Sequence, residues 1–455
     1  MRTIRRLLIA NRGEIAVRVI RTARALGIET MLAASEADLD SVPARLADRI
    51  VPIGAAQPAL SYLNINGIVD AARAAKVDAV HPGYGFLSEN AAFAERCRAA
   101  GLIFIGPEVA QLRAVGDKLE ARRQAVAAGL PVVPGGEIKS TAAAGSLAKR
   151  LGVPILVKAV AGGGGRGMKL ARSLAELSPT LDLAMAEAQA AFGDARVYLE
   201  RFIAVGRHVE VQILGDGERV VHCGDRDCSV QRRYQKLIEE APAPLLPDDL
   251  QARMRAAAVA FGRHLRYRGL GTVEFLVDME RGEFYFLEMN ARIQVEHPVT
   301  EMITGIDLVA EQIAVAEGHP LRLTQDDVRM SGHAIECRIN AEDAALDFRP
   351  SPGTITAATL PAGTGIRVDT HVQALARIPP FYDSLLAKVI THGANRSAAL
   401  VRMTRSLALC RIDGVVSTMA MLATVIRDPA FQRGGVDTAW FGKWWPGSGT
   451  HAPAH

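Results

Sequence analysis

Gly271-Thr-Val-Glu-Phe-Leu-Val-Asp-Met-Glu-Arg-Gly-Glu-Phe-Tyr-Phe-Leu-Glu-Met-Asn290 is the stretch on which the fold turns. Two apolar runs rich in β-formers, Gly271 to Val277 and Phe284 to Asn290, flank the turn-forming Asp278 to Glu283, which predicts an antiparallel hairpin. In the register closed by that turn Glu274 lies opposite Glu288, Leu276 opposite Phe286 and Thr272 opposite Asn290, on one face because side chains alternate. Like charges directly opposed destabilise a strand pair unless something neutralises them. Mg²⁺ or Mn²⁺ shared by the two carboxylates, with Asn290 as a third oxygen ligand, would do so. A slip of one residue, or a proton held by one carboxyl, is the alternative.

Beyond the hairpin, Ala291-Arg-Ile-Gln-Val-Glu-His-Pro-Val-Thr-Glu301 places Arg292, Gln294 and Glu296 at alternate positions. A guanidinium suits a planar oxyanion and a neighbouring carboxylate suits a general base, although a surface ion pair would have the same sequence. Before the hairpin, a strand over Ile155 to Val160 carries Lys158 and runs into Ala161-Gly-Gly-Gly-Gly-Arg-Gly-Met168. Gly162, Gly164 and Gly167 satisfy a dinucleotide-binding spacing, but Met168-Lys169-Leu170 continues as strand and a helix begins only near Ser173. The fingerprint requires a helix at once, so the loop reads as a hairpin tip whose N–H groups can approach phosphate, or as a plain flexible turn. No G-x-x-x-x-G-K-[ST] is present.

Residues 4 to about 114 alternate strand and helix: Leu7 to Ala10, a helical pattern through Ile15, Val19 and Ala23 that stops at Gly27, then Thr30 to Ala34, Ala79 to His81 and Ile103 to Ile105. This implies a doubly wound parallel sheet. A helix follows from Lys118 to Ala128, and a third segment starts at Gly332. The expected division is 1–114, 115–330 with a lid at about 131–202, and 331–446, with a disordered tail at 447–455. The fold class is therefore mixed α/β and α+β.

The totals narrow the function. With 53 basic and 49 acidic residues and 49% hydrophobic content, the chain has neither a single-sign block for nucleic acid nor an apolar run of membrane length. A cytoplasmic protein is expected, with its five cysteines reduced, because none forms a Cys-x-x-Cys pair.

Glu288-Met-Asn-Ala-Arg-Ile-Gln-Val-Glu-His-Pro-Val-Thr-Glu301 closely resembles the signature of biotin carboxylases. Ile9-Ala-Asn-Arg-Gly-Glu-Ile15, His81-Pro-Gly-Tyr-Gly-Phe-Leu-Ser-Glu-Asn90, Gly116-Asp-Lys118, Asp227-Cys-Ser-Val-Gln-Arg-Arg233, Glu239-Glu-Ala-Pro-Ala-Pro244 and Glu336-Cys-Arg-Ile-Asn-Ala-Glu342 agree in the same order, to about residue 445. The resemblance implies an ATP-grasp core with a mobile glycine-loop lid and a C-terminal biotin carboxylase domain. It implies ATP held by Lys118, Lys158, the backbone at Gly164 and Gly165, the segment Glu200, Arg201, Phe202 and Ile203, and by His208, Gln231, Tyr234 and Leu276. Glu274, Glu288 and Asn290 would hold the metal. Bicarbonate would meet Lys236, Arg292, Gln294 and the Val295 backbone, Glu296 would take its proton, and Tyr84 and Arg338 would face biotin.

By the same resemblance, carboxyphosphate would break down to CO₂ and phosphate, phosphate would deprotonate biotin, and Arg338 would stabilise the enolate. From the sequence alone Arg338 would not be singled out, since Glu336, Arg338 and Asn340 read as the solvated face of a strand. Four stretches depart from the family pattern: Tyr234 stands where histidine is usual, Ala25 where glutamate pairs across a dimer beside the retained Arg21 and Arg367, and Gln373-Ala-Leu-Ala376 and Val416-Ser-Thr418 differ. No biotin-bearing Met-Lys-Met hairpin occurs, so the expected partners are a separate biotin carboxyl carrier protein, carboxyltransferase subunits and a second copy of the chain. Acetyl-CoA is the family's default final acceptor, but similar subunits serve propionyl-CoA, urea-like or other acids, and the sequence does not choose among them.

Overall fold

The computed structural model describes residues 2–138, 141–160 and 167–445, with only the backbone at 141 and 142. Gly164, Gly165 and the tail at 447–455 lie outside the described residues. In the first unit, β1 (Arg6–Ile9), β2 (Glu29–Ser35), β3 (Arg49–Gly54), β4 (Ala79–His81) and β5 (Ile103–Phe104) form a parallel sheet in the order β3-β2-β1-β4-β5. Alternation sorts β1 and β2 onto two apolar faces. Leu7, Ile9 and Leu32 pack with Ile15 and Val19 of α1 (Gly13–Ala25), while Leu8, Met31 and Val80 pack with Ile68 and Val69. Burial on both faces is what makes a parallel sheet read as continuous apolar runs. Gly27, at φ +74, supplies the left-handed turn after α1. β3 was not foreseen; its central Pro52 and mostly exposed residues mask a strand pattern.

Within the stretch expected to form a lid lies a separate four-stranded sheet in the order β6-β9-β7-β8, made of β6 (Gly135–Glu137), β7 (Ile155–Ala159), β8 (Met168–Ala171) and β9 (Val197–Arg201). β7 and β8 are antiparallel with Lys158 opposite Met168, the hairpin expected of the glycine loop. The following helix starts at Leu177, one turn later than Ser173, which further removes the dinucleotide reading. The lid has its own small core of Leu147, Ile155, Val157, Leu181 and Leu199.

The body is one eight-stranded antiparallel sheet. Its strands are β10 (Gly206–Asp216), β11 (Val220–Arg232), β12 (Gln235–Ala241), β13 (Arg268–Asp278), β14 (Glu283–Asn290), β15 (His333–Asn340), β16 (Ile366–Thr370) and β17 (Leu385–Gly393), in the order β14-β13-β10-β11-β12-β15-β17-β16. The ladder from β12 to β15, Ile238 opposite Cys337 through Ala241 opposite Ala334, runs unbroken past the boundary expected at 330/331. The two C-terminal units therefore share a sheet while keeping separate apolar clusters, one around Phe261, Phe275 and Phe286 and the other around Ile335, Val389 and Leu422. No helix among the described residues is long and apolar enough to cross a membrane.

Candidate active site

A row of acids crosses three strands of the body sheet. Glu288 on β14 faces Glu274 on β13, and Glu274 faces Glu210 on β10. The expected pairs Thr272–Asn290 and Glu274–Glu288 form, but the register then shifts, so Phe275 meets Phe286 and Leu276 meets Tyr285. The predicted Leu276–Phe286 pair is absent because a bulge leaves Leu287 unpaired, turning Leu276 toward Val133, Ile203 and Tyr285.

The two opposed acids are treated differently by their surroundings. Glu274 accepts from Lys236 Nζ at 2.9 Å, Asn290 Nδ2 at 2.9 Å and Gln294 Nε2 at 2.8 Å, and pairs with His208 Nε2 at 2.9 Å. Burial would raise its pKa, but Lys236 and His208 prevail and hold it well below the usual range; Glu274 in turn raises that of His208 against burial. Glu288 receives no hydrogen bond or ion pair among the described residues. Burial and the facing Glu274 raise its pKa, with Lys118 opposing. An under-neutralised acid beside an anchored one fits a divalent cation, and the Asn290 oxygen, which accepts from Arg292 at 2.8 Å, keeps a second lone pair for it. His208, Glu210 and Glu274 also cluster at metal-ligand spacing, but the Lys236 ammonium already lies 2.6 Å from Glu210 and 2.9 Å from Glu274 and fills that place.

Lys236 also reaches Glu296 at 2.7 Å. On its other oxygen Glu296 meets Arg338 at 2.9 Å, and Arg338 pairs with Glu239 at 2.5 Å. Burial resists ionisation of Glu296, yet Lys236, Arg338 and Arg226 together drive its pKa far down. Beneath them lies Arg226, fully buried, bonded to Glu210 at 2.5 Å, Gln212 at 2.8 Å, Thr300 at 2.9 Å and Gln294 at 3.1 Å. Arg292 pairs with Glu89 at 2.9 Å rather than with Glu296. Residues 291–296, which carry Arg292, Gln294 and Glu296 at alternate positions, form a loop. The polar face of β15 is not solvated either: Glu336 is fully buried opposite Glu239, because β12 and β17 flank the strand and packed elements cover it.

At the other end of the site Glu200 receives Lys158 at 2.5 Å and Arg122 at 3.2 Å, which raises the Lys158 pKa against burial. Lys118 is lowered by burial, although Glu288 and Glu200 oppose this. Arg201 donates to the Tyr285 hydroxyl at 3.1 Å. Arg233 and Tyr234 form the two-residue turn between β11 and β12 at φ +46 and +67, the conformation such hairpins require. Burial pushes the Tyr234 hydroxyl up to about 12. Tyr84 donates to Glu14. Every described residue of the expected set lines one cleft of about 740 Å³, from Lys118 and Tyr234 to Tyr84 and Arg338.

The sequence reading missed Glu210, Arg226 and Lys388, which donates to the Val295 carbonyl at 2.8 Å. Glu14, Glu89 and Glu239 lie within the family-like motifs, but nothing in the sequence assigns them a role. For Glu210 a signal existed, since it lies two residues after His208 on the same strand face.

Three family models match the chain in succession: the biotin carboxylase N-terminal domain at residues 3–112, the carbamoyl-phosphate synthase L chain ATP-binding domain at 117–324, and the biotin carboxylase C-terminal domain at 336–443. The chain is 50% identical to a biotin carboxylase from Nostoc sp. over 437 residues, 95% of this chain and 98% of that one. It superposes with a TM-score of 0.93 and 43% identity on a biotin carboxylase–β-γ-ATP complex from Campylobacter jejuni, covering 97% of this chain and 99% of that one. A TM-score of 0.93 and 42% identity relate it to the biotin carboxylase domain dimer of 2-oxoglutarate carboxylase from Hydrogenobacter thermophilus, solved with MgADP, ADP and bicarbonate, covering 99% and 100%. With nearly its whole length matched and the acid row and the Lys236–Glu296–Arg338 chain in one cleft, this protein belongs to the biotin carboxylase family.

Proposed function

We propose that the chain carboxylates biotin carried on a separate protein, using ATP and bicarbonate, as the biotin carboxylase subunit of a larger carboxylase. The observation that carries this is the Glu296 carboxylate, gripped by Lys236 on the phosphate side and Arg338 on the other. One residue thereby touches both cations that an anionic substrate and an anionic biotin would need.

Lys118, Lys158, Glu200 to Ile203, His208, Gln231, Tyr234 and Leu276 would hold ATP, the lysines supplying charge for its phosphates. Glu274, Glu288 and Asn290 would hold a divalent cation, which would supply charge neutralisation for phosphoryl transfer. Lys236, Arg292 and the Gln294–Val295 segment hold bicarbonate, and Glu296 takes the proton from its hydroxyl as the oxygen attacks the γ-phosphorus and ADP leaves. In the resting site Glu296 is a weak base because of its two cations. An incoming anion shares those cations, which restores its basicity at the moment of use. Carboxyphosphate breaks to CO₂ and phosphate, phosphate removes the proton from the ureido nitrogen of biotin, Arg338 neutralises the enolate oxygen, and the nitrogen attacks CO₂.

The carrier and the carboxyltransferase are separate partners, the carboxyltransferase sets the final acceptor, and the working form is a homodimer. Arg367, expected at the dimer contact, binds Glu301 and Asp369 of its own chain, so the dimer would use it through a side chain already anchored. The test is ATP cleavage by purified protein with and without bicarbonate, and with a biotinylated carrier against free biotin. Bicarbonate dependence with preference for the carrier is expected. Covalent biotin on this chain, seen by avidin blot, would overturn the subunit assignment.

A further inference from the structure

Lys388 lies mid-way along β17 with no exposed surface. In the sheet register it sits between Arg338 on β15 and Asp369 on β16. A lysine is almost never fully buried unless paired, and one of its neighbours here is another cation. Its ammonium turns instead to three acceptors: the Val295 carbonyl at 2.8 Å, Glu14 at 3.0 Å and, more distantly, Asp369 at 3.9 Å. Glu14, buried at the start of α1, also accepts from the Tyr84 hydroxyl. Three segments, carrying Glu14, Val295 and Asp369, thus meet on one ammonium.

The contact with Val295 has no electrostatic need, because Glu14 already balances the charge. It fixes the peptide between Val295 and Glu296. Val295 on one side of that peptide is assigned above to bicarbonate, and Glu296 on the other is the carboxylate clasped by Lys236 and Arg338. Tyr84 lines the same cleft.

We propose that Lys388 is a positioning residue that holds the Val295–Glu296 peptide in its reactive place and, through Glu14 and the Tyr84 hydroxyl, ties the biotin-facing wall to the bicarbonate loop. The proposal rests on the reading of this cleft as a bicarbonate and biotin site. Lys388 touches neither substrate. Its loss acts on the placement of Glu296, and a misplacement of an ångström can cost about 100-fold in rate.

Steady-state kinetics of the full chain test it, with Lys388→Met, Lys388→Arg and Tyr84→Phe beside the wild type. Lys388→Met should lower kcat/KM for bicarbonate about 100-fold while ADP affinity, measured by calorimetry, stays unchanged, and Lys388→Arg, which can still donate to the carbonyl, should recover part of the loss. If the methionine variant does not fold, Tyr84→Phe decides: it should raise KM for bicarbonate as well as for the biotinylated carrier, although its hydroxyl meets no bicarbonate. A Tyr84→Phe effect confined to the carrier, or a folded Lys388→Met with wild-type bicarbonate kinetics, overturns the proposal. Wild-type ATP cleavage that ignores bicarbonate would instead bring down the functional reading beneath it.

Discussion

Glu274 and Glu288 stand directly opposite each other on β13 and β14, yet the first is gripped by Lys236, His208, Asn290 and Gln294 while the second has no such partner among the described residues. The asymmetry leaves one anchored acid and one acid awaiting a cation. Removing charge from the unanchored member should relieve repulsion in the metal-free protein. Glu288→Gln is therefore expected to abolish ATP cleavage while the apo melting temperature holds or rises by the equivalent of up to about 1 kcal/mol. Retained activity with a clear fall in melting temperature would contradict a metal role.

Arg226 makes a different case, since it is a buried cation serving five partners. Arg226→Met would leave Glu210 to Lys236 alone in a water-excluded layer. Deleting one partner of a buried pair costs about 3–5 kcal/mol. Urea unfolding should report a loss of that size, and a loss below about 1 kcal/mol would mean that water takes the place of the guanidinium.

Glu336 sets a pH dependence. Burial, reinforced by the facing Glu239 and only partly opposed by Lys388, raises its pKa well above that of the unfolded chain, and neither oxygen has a hydrogen-bond partner. Below the unfolded value of about 4.5 both states hold the proton and the group costs nothing. As pH rises past it, the unfolded chain releases the proton first, so stability falls by up to about 1.4 kcal/mol per pH unit until the folded group ionises. Glu336→Gln should consequently match the wild type near pH 4 and exceed it near pH 8 in thermal melts. An equal difference at both pH values would remove the explanation.

Tyr234 occupies a turn position at φ +67, which histidine tolerates better than most residues. Tyr234→His should bind ADP at least as tightly at pH 8. Below about pH 6.5 it should tighten further, as the imidazole becomes cationic; the tyrosine, neutral up to about 12, gives no such trend. Calorimetry at the two pH values measures this. A large loss in the variant would mean that the pocket has been rebuilt around tyrosine.

How much of this was legible depends on how far each feature reaches along the chain. The Glu274–Glu288 pairing was readable because a short turn fixes the register between two strands adjacent in sequence. The bulge one residue later was not, since no glycine marks it. The antiparallel pairing of the strands on either side of the glycine loop was legible from the strand character of Met168 to Leu170. Arg226 and Lys388 stayed hidden, and Glu210 without a role, because their partners lie 14 residues away or more and appear only once β10, β11 and β17 take their places in the sheet. Arg338 illustrates the limit of local patterns: the alternation that suggested a wet strand face describes equally well a face covered by other strands and loops.

The ladder joining β12 to β15 also constrains how such proteins can be recombined. Lys236 and Arg338 sit on neighbouring strands, so the distance between them is set by main-chain hydrogen bonds rather than by packing between separable lobes. A chimaera spliced near residue 330 would have to re-zip a β-ladder across its seam, in register, before either side chain regained its place. Exchange of the C-terminal unit between relatives should thus fail far more often than exchange of the lid, whose sheet is separate from the body.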